Sequence, residues 1–216
     1  MRKRREIAKD VANDADPATR LADVLFVLEH PHVYTLGRNA SSEHLLFDAS
    51  SSDIGAEVHR VERGGKVTYH GPGQLVVYPI LQLARHQRDL HWYVHTIENV
   101  IIASLADFEI AATRMKGYPG VWVGDRKIAQ VGMMCSQWVT SHGFAINVEP
   151  DMSFFKHIVP CGIEDRAVTS MALELGAARV PTIPAVRAVV ARHFALEFDV
   201  DLVASTCDNP LELDGK

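Results

Sequence analysis

The sequence predicts a single domain that mixes strands and helices, of the α/β or α+β class rather than a strictly alternating doubly wound sheet. Short apolar runs typical of strands dominate the middle of the 216-residue chain. Longer segments with apolar residues at helical spacing lie between and after these runs. The hydrophobic fraction of 47% is enough to bury a full core at this length.

Four short segments with β-branched or aromatic residues predict strands, and the first of them is an apolar run that predicts a buried strand. They occupy residues 24–28, 58–62, 75–80 and 143–148. A hairpin is predicted where residues 121–123 and 127–131 flank Gly124 and Asp125, a pair typical of tight turns. The segment 63–73 holds four glycines and a proline, so we expect a loop there with unusual backbone dihedrals.

Two segments predict amphipathic helices. In residues 91–108 the apolar positions recur every three or four residues, which gives one apolar face; they are Val94, Ile97, Ile101, Leu105 and Phe108. Thr182 and Pro184 predict the start of a second helix, since a hydroxyl caps the first turn and proline fits within it. Its apolar face is formed by Val186, Val190, Phe194 and Phe198.

Charge and cysteine usage exclude several classes of function. A net charge of -5 and a pI near 6.1 argue against binding nucleic acid over a whole face. No apolar run approaches the roughly 20 residues that cross a bilayer. The three cysteines Cys135, Cys161 and Cys207 show no paired spacing, so neither a disulfide framework nor a zinc cluster is expected. We therefore predict a reducing compartment and no metal or other cofactor.

Cys161 is the candidate nucleophile of the sequence. Pro160 and Gly162 flank it, which predicts a loop where the thiol can face a cleft. A thiol reacts as thiolate, so it needs a nearby cation. Lys127, directly after the predicted turn, could supply that charge if it is partly buried. Local context alone also fits an inert buried cysteine and an exposed lysine, whereas Cys135 and Cys207 are expected to be structural.

The glycine-rich segment does not match known phosphate cradles. Gly65 and Lys66 are followed by Val67, and position 60 is Arg60, so the P-loop pattern is absent. The chain also has no dinucleotide fingerprint and no Gly-x-Ser-x-Gly elbow. The sequence thus offers a thiol nucleophile and no clear nucleotide site.

Five ordered motifs together resemble the lipoyl(octanoyl) transferase family. They are residues 29–38 (EHPHVYTLGR), 63–79 (RGGKVTYHGPGQLVVYP), 120–123 (GVWV) with 127–129 (KIA), 142–148 (HGFAINV), and 160–163 (PCGI) with 168–170 (VTS). The similarity runs over about residues 21–198. It implies one octanoyltransferase domain over 21–216, preceded by a partly flexible N-terminal extension, 1–20.

The resemblance implies the fold of biotin and lipoate protein ligases, with a mixed main sheet, a smaller sheet and flanking helices. It places the acyl-thioester nucleophile at Cys161 and its catalytic partner at Lys127. It assigns acyl-group binding to three segments, and His142 is an additional candidate. The binding residues are Arg63, Gly64, Gly65, Lys66, Val67, Thr68, Tyr69, His70, Gln130, Val131, Gly132, Gly143, Phe144 and Ala145.

The reaction implied by the resemblance is a ping-pong acyl transfer without ATP. Octanoyl-acyl carrier protein is the expected donor. The expected acceptors are lipoyl domains of 2-oxoacid dehydrogenase complexes and the glycine cleavage H protein. We expect no nucleic-acid or membrane partner, and a cytoplasmic location, with a mitochondrial or plastid matrix as the alternative.

An eight-carbon tail requires a narrow apolar slot. We expect backbone to form its wall at Gly64, Gly65, Gly71 and Gly73, where a side chain would block it. Gln130 and the pair Met133 and Met134 differ from the usual family pattern. These differences bear on carrier docking and pocket shape more than on chemistry.

Four other functions remain open from the sequence. An ATP-dependent lipoate ligase and an amidotransferase that moves octanoyl between lipoyl domains would share the fold. A non-catalytic acyl-carrier-binding protein would form no acyl-enzyme. A hydrolase using Cys161 and His142 would need water to outcompete an amine.

Overall fold

The computed structural model describes residues 23–48, 54–159 and 167–204. Its strands are β1 Val24–Leu28, β2 Val33–Leu36, β3 Glu57–Arg60, β4 Val67–His70, β5 Gln74–Ile80, β6 Thr113–Met115, β7 Tyr118–Val123, β8 Arg126–Ser136 and β9 Val139–Asn147. Its α-helices are α1 Leu90–Ala106, α2 Met171–Leu175 and α3 Ile183–Phe198, and short 3₁₀ segments occupy Ser42–His44, Leu83–Arg85 and Met152–His157. The predicted extension 1–20, Cys161 and Cys207 lie outside the described residues.

The strands form two sheets. The larger has the order β1-β5-β9-β8-β7-β6, and all its strand pairs are antiparallel across the described residues. The smaller has the order β3-β2-β4, with β2 parallel to β3 and antiparallel to β4. The α/β class with two sheets is confirmed, but the mixed pairing lies in the smaller sheet, not in the main one as predicted.

Connection lengths explain where the parallel pair falls. Gly124 and Asp125 join β7 to β8, and Gln137 and Trp138 join β8 to β9, so these strands must return antiparallel. Both residues of the second turn have positive φ, as a two-residue hairpin turn requires. A long connection separates β2 from β3, which gives the chain room to cross over and pair in parallel.

One face of the larger sheet carries the main core. Alternate strand residues point toward α1 and α3, whose predicted apolar faces are confirmed as buried. The sheet contributes Leu75, Val77, Phe144 and Ile146, and the helices contribute Ile97, Ile101, Leu105, Val186, Val190, Phe194 and Phe198. This packing leaves the opposite face of the sheet available to form a site.

Side-chain caps set where the two long helices begin. The Asp89 carboxylate accepts hydrogen bonds from the backbone N–H groups of His91 and Trp92, at 2.8 and 3.1 Å. The Thr182 hydroxyl accepts from Ala185 N–H at 3.4 Å, and Pro184 lies in the first turn as predicted.

The glycine-rich segment is not a loop throughout, because Val67–His70 forms strand β4. Val67 and Tyr69 pack into a second apolar cluster with Tyr34, Leu36 and Phe155, on the outer face of the smaller sheet. This burial and the pairing with β2 fix the extended conformation despite the flanking glycines.

In the described part of the chain, no helix is long and apolar enough to cross a membrane.

Candidate functional site

A pocket of about 300 Å³ lies between the two sheets. Its size falls within the range of small-ligand sites. The smaller sheet supplies the strand residues that face away from its apolar cluster, and the larger sheet supplies the face opposite α1 and α3. The lining residues are His30, Pro31, Val33, Thr35, Glu57, His59, Val61, Arg63, Gly64, Gly65, Lys66, Val67, Thr68, His70, Tyr78, Gln130, Val131, Gly132, His142, Gly143, Phe144 and Ala145.

The pocket lining contains every residue predicted for acyl binding except Tyr69. It also contains His142, the additional candidate from the sequence. Tyr69 is fully buried on the other side of β4, where its ring stacks on Phe154 with centroids 4.9 Å apart. Its hydroxyl is hydrogen-bonded to His32 Nδ1 at 2.7 Å. The placement of Tyr69 in the pocket is therefore wrong, because neighbouring strand residues point to opposite faces.

Gly64 and Gly65 line the pocket, whereas Gly71 and Gly73 do not. A Cβ at Gly71 would lie 1.9 Å from the Tyr69 hydroxyl oxygen. At Gly73 it would lie 2.3 Å from the carbonyl oxygen of Glu149. These two glycines therefore permit close packing elsewhere, and the expectation that they form the slot wall is wrong.

The Arg63 side chain lines the pocket and is hydrogen-bonded to β2 and to Gly64. Its Nη2 donates to the carbonyl oxygen and to Oγ1 of Thr35, at 2.7 and 2.8 Å, and its Nη1 donates to the carbonyl oxygen of Gly64 at 3.0 Å. Arg63 is only 7% exposed. The guanidinium thus holds the start of the glycine-rich segment against β2.

Four histidines line the pocket, and burial lowers the pKa of three of them. Burial lowers the pKa of His70 to about 4, and the charge of Arg63 acts in the same direction. Burial also lowers the pKa of His30 and of His142, the latter again helped by Arg63. Near pH 7 these rings therefore act as neutral hydrogen-bonding groups.

Several lining residues were not singled out from the sequence, chiefly on β2, β3 and β5. Two of them are joined by a 2.7 Å hydrogen bond between His30 Nε2 and the Tyr78 hydroxyl. Both fall inside the quoted motifs at 29–38 and 63–79. The alternation of strand residues could have selected Tyr78, because it lies on the opposite face from the core residue Val77.

Lys127 lies on β8, the strand that supplies Gln130 and Gly132 to the pocket, but it is not itself a lining residue. It is 5% exposed, and its Nζ lies 4.7 Å from the centroid of the Trp122 ring. Such a contact stabilises a cation over an aromatic face. The burial is the feature that separates this lysine from an ordinary solvated one.

The segment that carries Cys161 is flanked by anchored residues, although Cys161 itself lies outside the described part of the chain. Before it, Val159 N–H donates to the carbonyl oxygen of His44 at 2.9 Å. After it, the carbonyl oxygen of Ala167 accepts from Lys127 N–H at 2.9 Å, and Thr169 N–H donates to the carbonyl oxygen of Lys127 at 2.9 Å. Lys127 is thus hydrogen-bonded to the chain that directly follows this segment.

Cys135 lies on β8 and is half-buried against the main core, where burial raises the pKa of its thiol. Over residues 23–48, 54–159 and 167–204, no group of three histidine, cysteine, aspartate or glutamate side chains could hold a metal ion.

Comparison with known proteins defines the family. Residues 6–195 match the family described as the lipoyl protein ligase A/B catalytic domain. An octanoyltransferase of Nostoc sp. is 51% identical over 185 residues, which cover 86% of this chain and 81% of that protein. An octanoyltransferase of Gloeobacter violaceus is 49% identical and covers 83% and 82%. The chain belongs to the octanoyltransferases of this family, as the sequence motifs predict.

Solved structures show the same fold at low sequence identity. A lipoate-protein ligase A bound with ATP matches with a TM-score of 0.71 and 17% identity, over 85% of this chain and 75% of that one. A putative lipoate protein ligase from T. acidophilum with bound lipoic acid matches with a TM-score of 0.68 and 18% identity, over 84% and 74%. The predicted ligase-like fold is confirmed.

Proposed function

We propose that this chain transfers an octanoyl group from acyl carrier protein to a lysine of a lipoyl domain, through a thioester at Cys161. The observation that carries the proposal is the 51% identity to an octanoyltransferase over most of both chains. The pocket between the sheets supports it, because its surface is mainly apolar and burial lowers the pKa of His30, His70 and His142 in its lining.

The first half-reaction is an exchange between two thiols. The Cys161 thiolate attacks the thioester carbonyl carbon of the donor, the new C–S bond forms, and the bond to the phosphopantetheine sulfur breaks. The proton from Cys161 passes to the departing sulfur, with Lys127 as its carrier. One thioester replaces another, so this step is close to thermoneutral.

The second half-reaction forms an amide. The neutral amine of the acceptor lysine attacks the acyl-Cys161 carbonyl, the C–N bond forms and the C–S bond breaks. The amine proton ends on the Cys161 sulfur. A thioester is converted to an amide, which runs downhill, so the reaction needs no ATP.

Lys127 is the residue that we assign to proton transfer and thiolate stabilisation. Its burial supports the assignment, since a cation in a desolvated place interacts more strongly with a neighbouring anion. Its backbone hydrogen bonds to Ala167 and Thr169 also support it, because they hold Lys127 next to the chain that continues from the Cys161 segment.

The pocket is the proposed site of the acyl tail. Each buried methylene contributes about 0.8 kcal/mol, so an eight-carbon chain supplies several kcal/mol of binding. Gly64, Gly65 and Gly132 keep side chains out of the space between the sheets. The proposed acyl-binding residues are thus those predicted from the sequence, without Tyr69.

The proposed donor is octanoyl-acyl carrier protein, and the proposed acceptors are lipoyl domains, including those of 2-oxoacid dehydrogenase complexes and the glycine cleavage H protein. We place the reaction in the cytoplasm or in an organelle matrix. The name of an Arabidopsis thaliana relative, 48% identical over 157 residues, describes that protein as chloroplastic. The catalytic domain is proposed to extend over 21–216.

The test is the modification of an apo lipoyl domain by each of three donors. Octanoyl-acyl carrier protein without ATP should support modification at the highest rate. Free octanoate with ATP should support it only if the chain is a ligase, and an octanoylated lipoyl domain should do so only if it is an amidotransferase. Either of these two results, with no transfer from the carrier protein, would overturn the proposal.

A further inference from the structure

His142 has an unusual backbone conformation for a strand residue. Its φ is +59°, in the left-handed region that residues other than glycine rarely adopt. Phe144 and Ile146 on the same strand pack into the main core, so regular alternation would turn His142 toward the core as well. Instead His142 lines the pocket, and its ring meets the Tyr78 ring edge-on with centroids 6.1 Å apart. The left-handed conformation therefore turns the imidazole away from the core and into the pocket.

The neighbouring strand β5 explains why β9 is irregular at this point. The pairing between β5 and β9 ends at Val77 and Phe144, although β5 itself continues. Pro79 follows, and proline has no N–H to donate to a neighbouring strand. A Cβ at Gly143 would lie 2.2 Å from the carbonyl oxygen of Val77, so the two backbones approach closely there. The irregularity is thus part of the sheet, and it determines where the preceding imidazole points.

His142 lies at the end of the pocket where the chain before β4 contacts the larger sheet. It pairs with Met133 across the two strands β8 and β9. The carbonyl oxygen of Met133 accepts a hydrogen bond from Gly64 N–H at 2.9 Å. Gly132 still lines the pocket, whereas Met133 is not among the lining residues. The contact between Gly64 and Met133 therefore bounds the pocket at the level of His142.

Lys127 lies toward the opposite end of β8. It precedes Met133 by six positions, which corresponds to at most about 20 Å of extended strand. In the proposed function the reacting carbonyl lies toward Lys127, so the methyl end of the acyl tail points along β8 toward Gly132 and His142. Burial and the charge of Arg63 lower the pKa of His142, which favours the neutral ring beside an apolar tail.

We propose that the His142 imidazole is a stop that limits the length of the acyl tail and so selects octanoyl over longer acyl groups. This inference rests on the proposed function, which sets the direction of the tail. The methyl end of an octanoyl tail contacts the ring, and a longer tail collides with it. The left-handed backbone at His142 is then the strain that places a side chain across the end of the pocket.

His142→Gly removes the stop without straining the fold, since glycine adopts a φ of +59° freely. The missing imidazole leaves more space than two methylene groups occupy. The ratio of kcat/KM for decanoyl- to octanoyl-acyl carrier protein should therefore rise by about tenfold, the effect of burying two more methylene groups. His142→Asn keeps a smaller side chain that tolerates the same backbone, so its ratio should be intermediate. Mass spectrometry of an apo lipoyl domain measures both transfers.

The matched control is Asp199→Gly. Asp199 has a φ of +54° at the C-terminal cap of α3 and does not line the pocket, so this substitution relieves the same backbone strain away from the tail. It should leave the ratio unchanged. Circular dichroism verifies that each variant is folded. An unchanged ratio in the folded His142 variants, or an equal rise in Asp199→Gly, would overturn the inference.

Binding of free octanoate and decanoate separates this inference from the proposed function, because it requires no acyl transfer. Isothermal titration calorimetry should show that His142→Gly shifts the ratio of the two dissociation constants toward decanoate. If the wild type transferred neither acyl group from acyl carrier protein, the proposed function would fail. The shift in binding would still support the stop, and the absence of a shift would overturn it.

Discussion

At the residue scale, buried polar side chains on the strands that form the pocket are a distinctive feature of the molecule. Lys127, His70 and Gln74 are each under 9% exposed, and each has an identified contact. Burial of a charged or polar group costs free energy unless it is paired. The burial and the contacts of Lys127 are consistent with the catalytic role proposed for it.

Replacing Lys127 with methionine tests its role in proton transfer. Lys127→Met keeps the length and packing of the side chain but removes the amine. Adduct formation and discharge should each slow by about 10²- to 10⁴-fold, the usual contribution of a general acid–base group. Stopped-flow or quenched mass spectrometry gives both rates. The control is Arg126→Met at the exposed neighbouring position, which should leave both rates near wild type.

Gly132 offers a direct test of the slot. A Cβ there would lie 3.2 Å from Cδ of Arg63, whose guanidinium is held by Thr35 and Gly64. Gly132→Ala should therefore narrow the pocket, so that octanoyl transfer weakens while butanoyl transfer is spared. Gly65→Val is a poorer probe, because Gly65 has a φ of +86° and valine would strain the backbone. An equal loss of octanoyl and butanoyl transfer would show that the space at Gly132 does not limit the length of the acyl tail.

At the element scale, periodicity and capping predicted most of the structure. The apolar spacing of α1 and α3, the cap at Thr182 and the β7–β8 hairpin are all observed. The strand β4 was not predictable from composition, because four residues between glycines give too short a pattern. Its alternation is what places Thr68 and His70 in the pocket and Tyr69 outside it.

The cap of α1 carries a stability prediction. Asp89→Ala removes the acceptor of two helix N–H groups and should lower the free energy of unfolding by about 1 kcal/mol. Urea denaturation followed by circular dichroism measures the change. Arg88→Ala, at the exposed neighbouring position, should change the stability by less than about 0.5 kcal/mol. Equal stability of Asp89→Ala and wild type would show that the Asp89 cap does not stabilise α1.

At the scale of the whole molecule, the pocket exists because two sheets meet. The sequence motifs located the family and most of the residues that line the pocket, since these residues fall in contiguous segments. They did not predict which sheet is mixed, or that β3 would add Glu57 and His59 to the lining. Pairing between distant strands depends on three-dimensional packing that local patterns do not encode.

The buried histidines make stability depend on pH. His70 has a folded-state pKa of about 4, below the unfolded value near 6.5, so the unfolded chain binds more protons between these values. Stability should therefore fall as the pH drops from about 6.5 to 4, with His30 and His142 acting in the same direction. Thermal melts across this range should show a shallower decline for His70→Phe. An identical decline would assign the effect to other groups.

The proposed function depends on an octanoyl thioester that forms on Cys161 without ATP. Intact mass spectrometry of the protein mixed with octanoyl-acyl carrier protein can detect this intermediate. We expect one octanoyl adduct on the wild type, none on Cys161→Ser, and loss of the adduct when an apo lipoyl domain is added. The absence of any adduct on the wild type, with lipoyl-domain modification only when ATP and free octanoate are supplied, would contradict it.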